Sequence, residues 1–70
     1  MKIVSWNVNG LAACKRKGFL RVLARSGADI FCCQEIKTRC PLSTPGYLQF
    51  WNPAKRPGYS GTLTLTRKEP

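Results

Sequence analysis

From Lys2 to Asn9 the chain alternates, with Val4, Trp6 and Val8 on one parity and Ser5, Asn7 and Asn9 on the other together with Ile3. A period of two predicts a strand with its two faces in different surroundings. Gly10 ends the pattern, and a basic cluster, Lys15-Arg16-Lys17-Gly18, follows as a solvated helix start. The period then lengthens: Phe19, Leu20, Val22, Leu23 and Ala24 recur at helical spacing with Arg21 and Arg25 between them, and Gly27 supplies a stop. Ala28 to Gln34 contains the continuous apolar run Ile30-Phe31-Cys32-Cys33, as expected of a strand buried on both faces.

Strand, helix and strand in that order predict a right-handed crossover joining two parallel strands. Parallel strands end at the same sheet edge, so Asn7, Asn9, Gln34 and Glu35 converge there, at the edge where α/β sheets usually bind ligands. Ile36 to Pro45 reads as a loop and Tyr47 to Trp51 as a short aromatic strand. Asn52 to Gly58 reads as a Pro-rich basic loop. Tyr59 to Thr66 alternates again, Leu63 and Leu65 against Thr62, Thr64 and Thr66, and pairs with the preceding strand as a hairpin. Trp6, Phe50 and Trp51 read as core. No repeat, low-complexity tract or internal boundary divides the chain, so residues 1–70 form part or all of one domain.

Composition sharpens this picture in one direction. The 70 residues hold twelve Lys and Arg against three Asp and Glu, a formal net charge of +9. Such an excess suits a phosphate-rich partner, although a basic surface also serves solubility. With no His, and with Cys14, Cys32, Cys33 and Cys40 lacking a paired C-x-x-C, a zinc site is not expected. Cys32 and Cys33 read as small buried hydrophobes in a reducing, cytoplasmic setting. No apolar stretch is long enough to span a bilayer, so no membrane partner is expected.

Against this basic background the lone carboxylate of Glu35, at the end of an apolar strand, is a candidate cation ligand beside a polyanion. Mg²⁺ takes oxygen ligands, keeps several waters, and is usually held by one or two carboxylates plus substrate phosphate. Asn7, across the strand pair, could orient that carboxylate or a phosphate oxygen. The bland alternative makes Asn7 a turn residue before Gly10 and Glu35 a strand-end charge. Lys37, Lys15 and Arg16 read first as solvated charges and second as phosphate contacts, whereas Lys55 and Arg56 in the Pro-rich loop fit either reading. Gly58-Tyr59-Ser60-Gly61 allows close backbone approach to a ligand with Tyr59 against a sugar or base, or else forms a bulge with a core tyrosine.

Taken together, the segments Ile3-Val4-Ser5-Trp6-Asn7-Val8-Asn9-Gly10-Leu11, Ala28-Asp29-Ile30-Phe31, Gln34-Glu35-Ile36-Lys37, Pro45-Gly46-Tyr47 and Tyr59-Ser60-Gly61 resemble the exodeoxyribonuclease III and apurinic/apyrimidinic endonuclease family. The resemblance implies an α/β fold, the N-terminal part of a four-layer α/β sandwich in which two sheets lie face to face with helices outside. It implies Mg²⁺-dependent hydrolysis of DNA phosphodiesters, with Mn²⁺ as an alternative ion, in base-excision repair. The implied partner is double-stranded DNA with abasic sites or 3′ ends. By the same resemblance Asn7 and Glu35 form the metal site, Asn9 and Lys37 stand behind it, and Tyr59 and Gly61 belong to a DNA-contacting turn. Lys55, Arg56, Lys15 and Arg16 complete the expected DNA surface.

The chain departs from the family pattern at Ala12, where Arg is usual, and at Ile36, where Thr is commoner. It also lacks the Asp-x-Asn segment, the later aspartates and the final Asp-His pair. The expectation is therefore a truncated enzyme, inactive alone, whose missing C-terminal part is itself a partner. The sheet face that the second sheet would cover, taken as Leu63 and Leu65 with Val4, Trp6 and Val8, is expected to be partly exposed. Two other readings stay open. One is a small basic nucleic-acid-binding protein without catalysis, and the other a phospholipid or inositol-phosphate phosphatase of the same superfamily.

Overall fold

The computed structural model describes residues 1–37, 41–52 and 61–67. Its elements are β1 (Ile3–Asn7), α1 (Leu11–Arg16), α2 (Phe19–Ser26), β2 (Ile30–Gln34), β3 (Tyr47–Asn52) and β4 (Thr62–Arg67). The single expected helix is two. The chain turns at Gly18, whose left-handed backbone (φ 108°) costs a residue without Cβ little, and α2 begins there. Gly27, also left-handed at φ 65°, ends α2 as the sequence predicts.

The four strands form one mixed sheet in the order β1-β2-β4-β3. β1 and β2 are parallel, with Ile3 opposite Ile30 and Asn7 opposite Gln34. β3 and β4 form the expected antiparallel hairpin, and β4 inserts between β2 and β3 by pairing antiparallel to β2. The registers sort the side chains into two faces. One carries Val4, Trp6, Phe31, Cys33, Leu63, Leu65, Gln49 and Trp51. Together with Leu11, Cys14, Phe19, Leu23 and Ile36, its buried members make the core. Phe19 stacks on Trp6 at 5.9 Å between ring centroids and meets Phe31 edge-on at the same distance, locking α2 to the sheet.

The opposite face has no layer over it among the described residues. Its rows read Ile3-Ile30-Thr66-Leu48, Ser5-Cys32-Thr64-Phe50 and Asn7-Gln34-Thr62-Asn52. This corrects three expectations. Leu63 and Leu65 are fully buried because they point toward the helices. The exposed apolar side chains are instead Ile3 (62% exposed), Leu48 (45%) and Phe50 (56%), so Phe50 is not core. β2 is fully buried on one face only, which leaves Cys32 half-buried while Cys33 is sealed. Trp6 and Trp51 are half-buried and pack against the core.

The far end of the sheet is tied by polar contacts. Asp29 accepts a hydrogen bond from the Lys2 backbone N–H at 2.7 Å and pairs with Arg67 at 3.4 Å. The Ala28 carbonyl accepts from the Tyr47 hydroxyl at 2.6 Å and from Arg67 Nε at 3.0 Å. Among the described residues no helix is long and apolar enough to cross a membrane.

Candidate active site

Strand pairing does not stop where β1 and β2 end. The N–H of Val8 donates to Gln34 (3.1 Å), that of Gly10 to Glu35 (2.8 Å) and that of Leu11 to Ile36 (3.0 Å). The Ile36 N–H in turn donates to the Gly61 carbonyl at 3.3 Å. This ladder brings Asn7, Asn9, Glu35, Lys37 and Gly61 to one end of the sheet, as the parallel arrangement of β1 and β2 requires.

Within it, Asn7 Nδ2 donates a hydrogen bond to Glu35 Oε2. Asn7 Oδ1 accepts from the Asn9 backbone N–H at 3.0 Å. Both ends of the amide are thus engaged, and its orientation follows, since the nitrogen can only donate and the oxygen only accept. Both Asn7 and Glu35 lie on the surface, so a ligand arriving from solvent can reach the carboxylate. Gln34 donates to Ser5 Oγ at 3.0 Å beside them.

Alternation along β2 would have put Glu35 on the helix side of the sheet, away from Asn7, which shares a face with Gln34. The backbone prevents this. Glu35 has φ 54°, and Asn9 (φ 47°) and Lys37 (φ 71°) are the other non-glycine residues with positive φ among the described residues. A left-handed residue interrupts the pleat, turning Glu35 toward Asn7 and the next residue, Ile36, into the core at 1% exposure. Such conformations cluster where surrounding structure over-determines them, commonly at functional sites. Lys37 is exposed, its aliphatic stem passing over Gly10, where an added Cβ would stand 3.6 Å from Lys37 Cδ.

A divalent ion implied by the family resemblance would find one carboxylate donor here, with the Asn7 amide oxygen beside it. Glu35 has one oxygen engaged by Asn7, and the Asn7 oxygen, which accepts from the Asn9 N–H, keeps a second lone pair. That fits a single carboxylate ligand of Mg²⁺ with waters and phosphate oxygens completing the shell. Among the described residues no group of three His, Cys, Asp or Glu gathers to hold a metal. Asp29 lies at the opposite end of β2, engaged by Lys2 and Arg67.

The remaining expected residues fall in different places. Lys15 and Arg16 occupy the last turn of α1. The Lys15 ammonium donates to the Pro41 carbonyl at 2.8 Å, which fastens α1 to the loop after the site. Lys55, Arg56 and Tyr59 lie outside the described residues, as does Cys40. Sequence reasoning missed Asn52 and Thr62, which continue the polar row of Asn7 and Gln34 across the sheet. Their shared parity with Phe50 and Thr64 was the available signal.

Comparison with known proteins bears on the whole arrangement. An exodeoxyribonuclease of Bacillus subtilis (strain 168) is 46% identical over 74 residues, covering 100% of this chain and 29% of the relative. A DNA-(apurinic or apyrimidinic site) endonuclease of Dictyostelium discoideum is 35% identical over 75 residues, covering 100% of this chain and 21% of the relative. Among solved structures, the Xenopus laevis APE2 catalytic domain superimposes with a TM-score of 0.78 at 37% identity, over 96% of this chain and 23% of that one. The chain therefore spans less than a third of the length of these relatives. The mixed sheet with helices on one face is the α/β arrangement of such nuclease domains, in the part that the chain covers. The family model described as the endonuclease/exonuclease/phosphatase family matches residues 4–70, nearly the whole chain, and with the sheet-edge geometry it leads to one conclusion: the chain belongs to that family.

Proposed function

We propose that the chain carries the metal-ligating edge of a DNA phosphodiester hydrolase acting at abasic sites or 3′ ends, with Mg²⁺ as its ion and Mn²⁺ as an alternative. The observation that carries the reading is the Glu35 carboxylate, turned out of strand alternation to meet Asn7 at the sheet edge. Named relatives include an exodeoxyribonuclease and an abasic-site endonuclease, which supports DNA as the partner. The net charge of +9 supports it independently.

In this reading Glu35 is the ligand and Asn7 the group that orients it. Donation from Asn7 Nδ2 holds one carboxylate oxygen of a side chain that lies at the surface. Asn9 fixes Asn7 through its backbone N–H, and Lys37, exposed beside Gly10, stands ready for a phosphate oxygen. The chemistry supplied by the bound ion is neutralisation of charge on the scissile phosphate. Hydrolysis also needs an oriented water and a group to take its proton. These 70 residues contain no His, and their one Asp, Asp29, serves the far end of the sheet, so this chain supplies charge stabilisation without that base.

Titration with Mn²⁺, read by paramagnetic broadening of amide signals, tests the site. Broadening should centre on Asn7, Asn9 and Glu35 and vanish in Glu35→Gln. Broadening that survives the substitution would remove Glu35 from the metal site. Its absence from the wild-type chain, with salt-sensitive DNA binding intact, would favour a non-catalytic binding protein instead.

A further inference from the structure

We infer that Ile36 is the positioning residue of the site, a hydrophobic peg whose burial holds the left-handed backbone of Glu35 and Lys37 on either side of it. The inference rests on the reading of Glu35 as a metal ligand and adds a cause for its placement.

A left-handed conformation is disfavoured for any residue with a Cβ, and neither Glu nor Lys has the short local hydrogen bonds that ease it for Asn. Yet Glu35 and Lys37 both adopt it, at φ 54° and 71°. Glu35 accepts a hydrogen bond from Asn7 and the Lys37 stem lies over Gly10, but both side chains are at the surface, and the buried anchor of the segment is the residue between them. Between them Ile36 is 1% exposed and belongs to the core with Leu11, Cys14 and Phe31. Its N–H donates to Gly61 and its carbonyl accepts from Leu11. Both backbone groups and the side chain are thereby fixed.

The pleat explains why a peg is required. If β2 continued its alternation, Ile36 would emerge on the uncovered face with Gln34 two positions before it, and Glu35 would be driven into the core. One left-handed residue exchanges the two. Burial of the Ile36 side chain in the core works against the cost of the left-handed residues on either side of it. The carboxylate reaches Asn7 because the isoleucine beside it reaches the core.

The test is a truncation series at a residue that touches neither metal nor phosphate. Ile36→Val and Ile36→Ala are compared with Leu23→Ala, a similarly buried core change away from the site. Two signals are read: the HN–Hα couplings and ¹³Cα shifts of Glu35 and Lys37, which report the sign of φ, and Mn²⁺ affinity from broadening at Asn7. Affinity should fall in the order Ile, Val, Ala, reaching about tenfold, the lower range for supporting groups around a metal ligand, and the left-handed signature should fade in parallel. Leu23→Ala should leave both signals in place. If Ile36→Ala does not fold, the Ile-to-Val step decides by the same two signals. Unchanged couplings and affinity along the folded members of the series would overturn the inference, as would an equal loss in Leu23→Ala. A wild-type chain that binds no Mn²⁺ would sink the metal reading alone, and the couplings would then decide the role of Ile36.

Discussion

Cys33 illustrates how much a single position on the covered face differs from its neighbour. Burial, with the nearby Cys14 and Cys32 thiols adding to it, pushes its thiol from an ordinary 9.0 up to about 12. Burial likewise raises Cys14, with Lys17 opposing. The thiolate is the reactive form, and burial disfavours it at both positions. The folded pKa of Cys33 lies above the unfolded one, so its contribution to stability is complete below about pH 9 and is lost as pH rises toward 12. Urea midpoints measured from pH 8 upward should therefore fall more steeply for the wild type than for Cys33→Ala. Parallel slopes would show that the thiol is not sequestered. At the same scale, Glu35 and Ile36 show that neighbours can exchange faces when one backbone angle changes sign.

At the scale of elements, the two ends of the sheet are built differently. The site end relies on backbone pairing that runs past the strands into the loops at Gly10, Ile36 and Gly61. The far end has backbone pairing too, at Lys2, Asp29 and Arg67, and adds side chains to it, with Tyr47 of β3 and Arg67 of β4 both donating to the Ala28 carbonyl just before β2. Arg67 also lies 5.9 Å from the centre of the Tyr47 ring and pairs with Asp29. These contacts pin the hairpin to β2 at its base. Tyr47→Phe keeps the ring and removes one of two donors to that carbonyl, so it should cost about 1 kcal/mol in denaturant unfolding. A loss near zero would mean that Arg67 alone satisfies the carbonyl, and that the hairpin is held by pairing and packing.

At the scale of the molecule, the governing feature is a sheet that the described residues cover on one side. The open face carries no charged residue along its rows, although the chain as a whole is strongly charged. It exposes Ile3, Leu48 and Phe50 together, and apolar surface of this kind promotes association. Sedimentation should show concentration-dependent self-association of the chain that Phe50→Lys reduces. Val22→Lys is the control, because Val22 is 46% exposed but sits on α2, on the helical side. Equal sedimentation of the wild type and Phe50→Lys would show that this face does not mediate contact between chains.

By itself, local sequence determined that β1 and β4 are strands by their alternation, that β3 is one by its aromatic content, that Gly27 stops a helix, and that Leu63 shares a face with Leu65, because each depends on residues a few positions apart. Parallel β1 and β2 also followed from the crossover, and with them the convergence of Asn7 and Glu35 on one edge. Period two names the residues that share a face but says nothing about what lies over it. Only the tertiary structure decided that the helices cover Leu63 and Leu65 and leave Phe50 in the open. It alone inserted β4 beside β2, since that pairing joins segments far apart in the chain. The turn of Glu35 was hidden for a further reason: glutamate has no preference for a left-handed backbone, and the contacts beside it, the burial of Ile36 and the bonds from Asn7 and Gly10, exist only in the assembled structure.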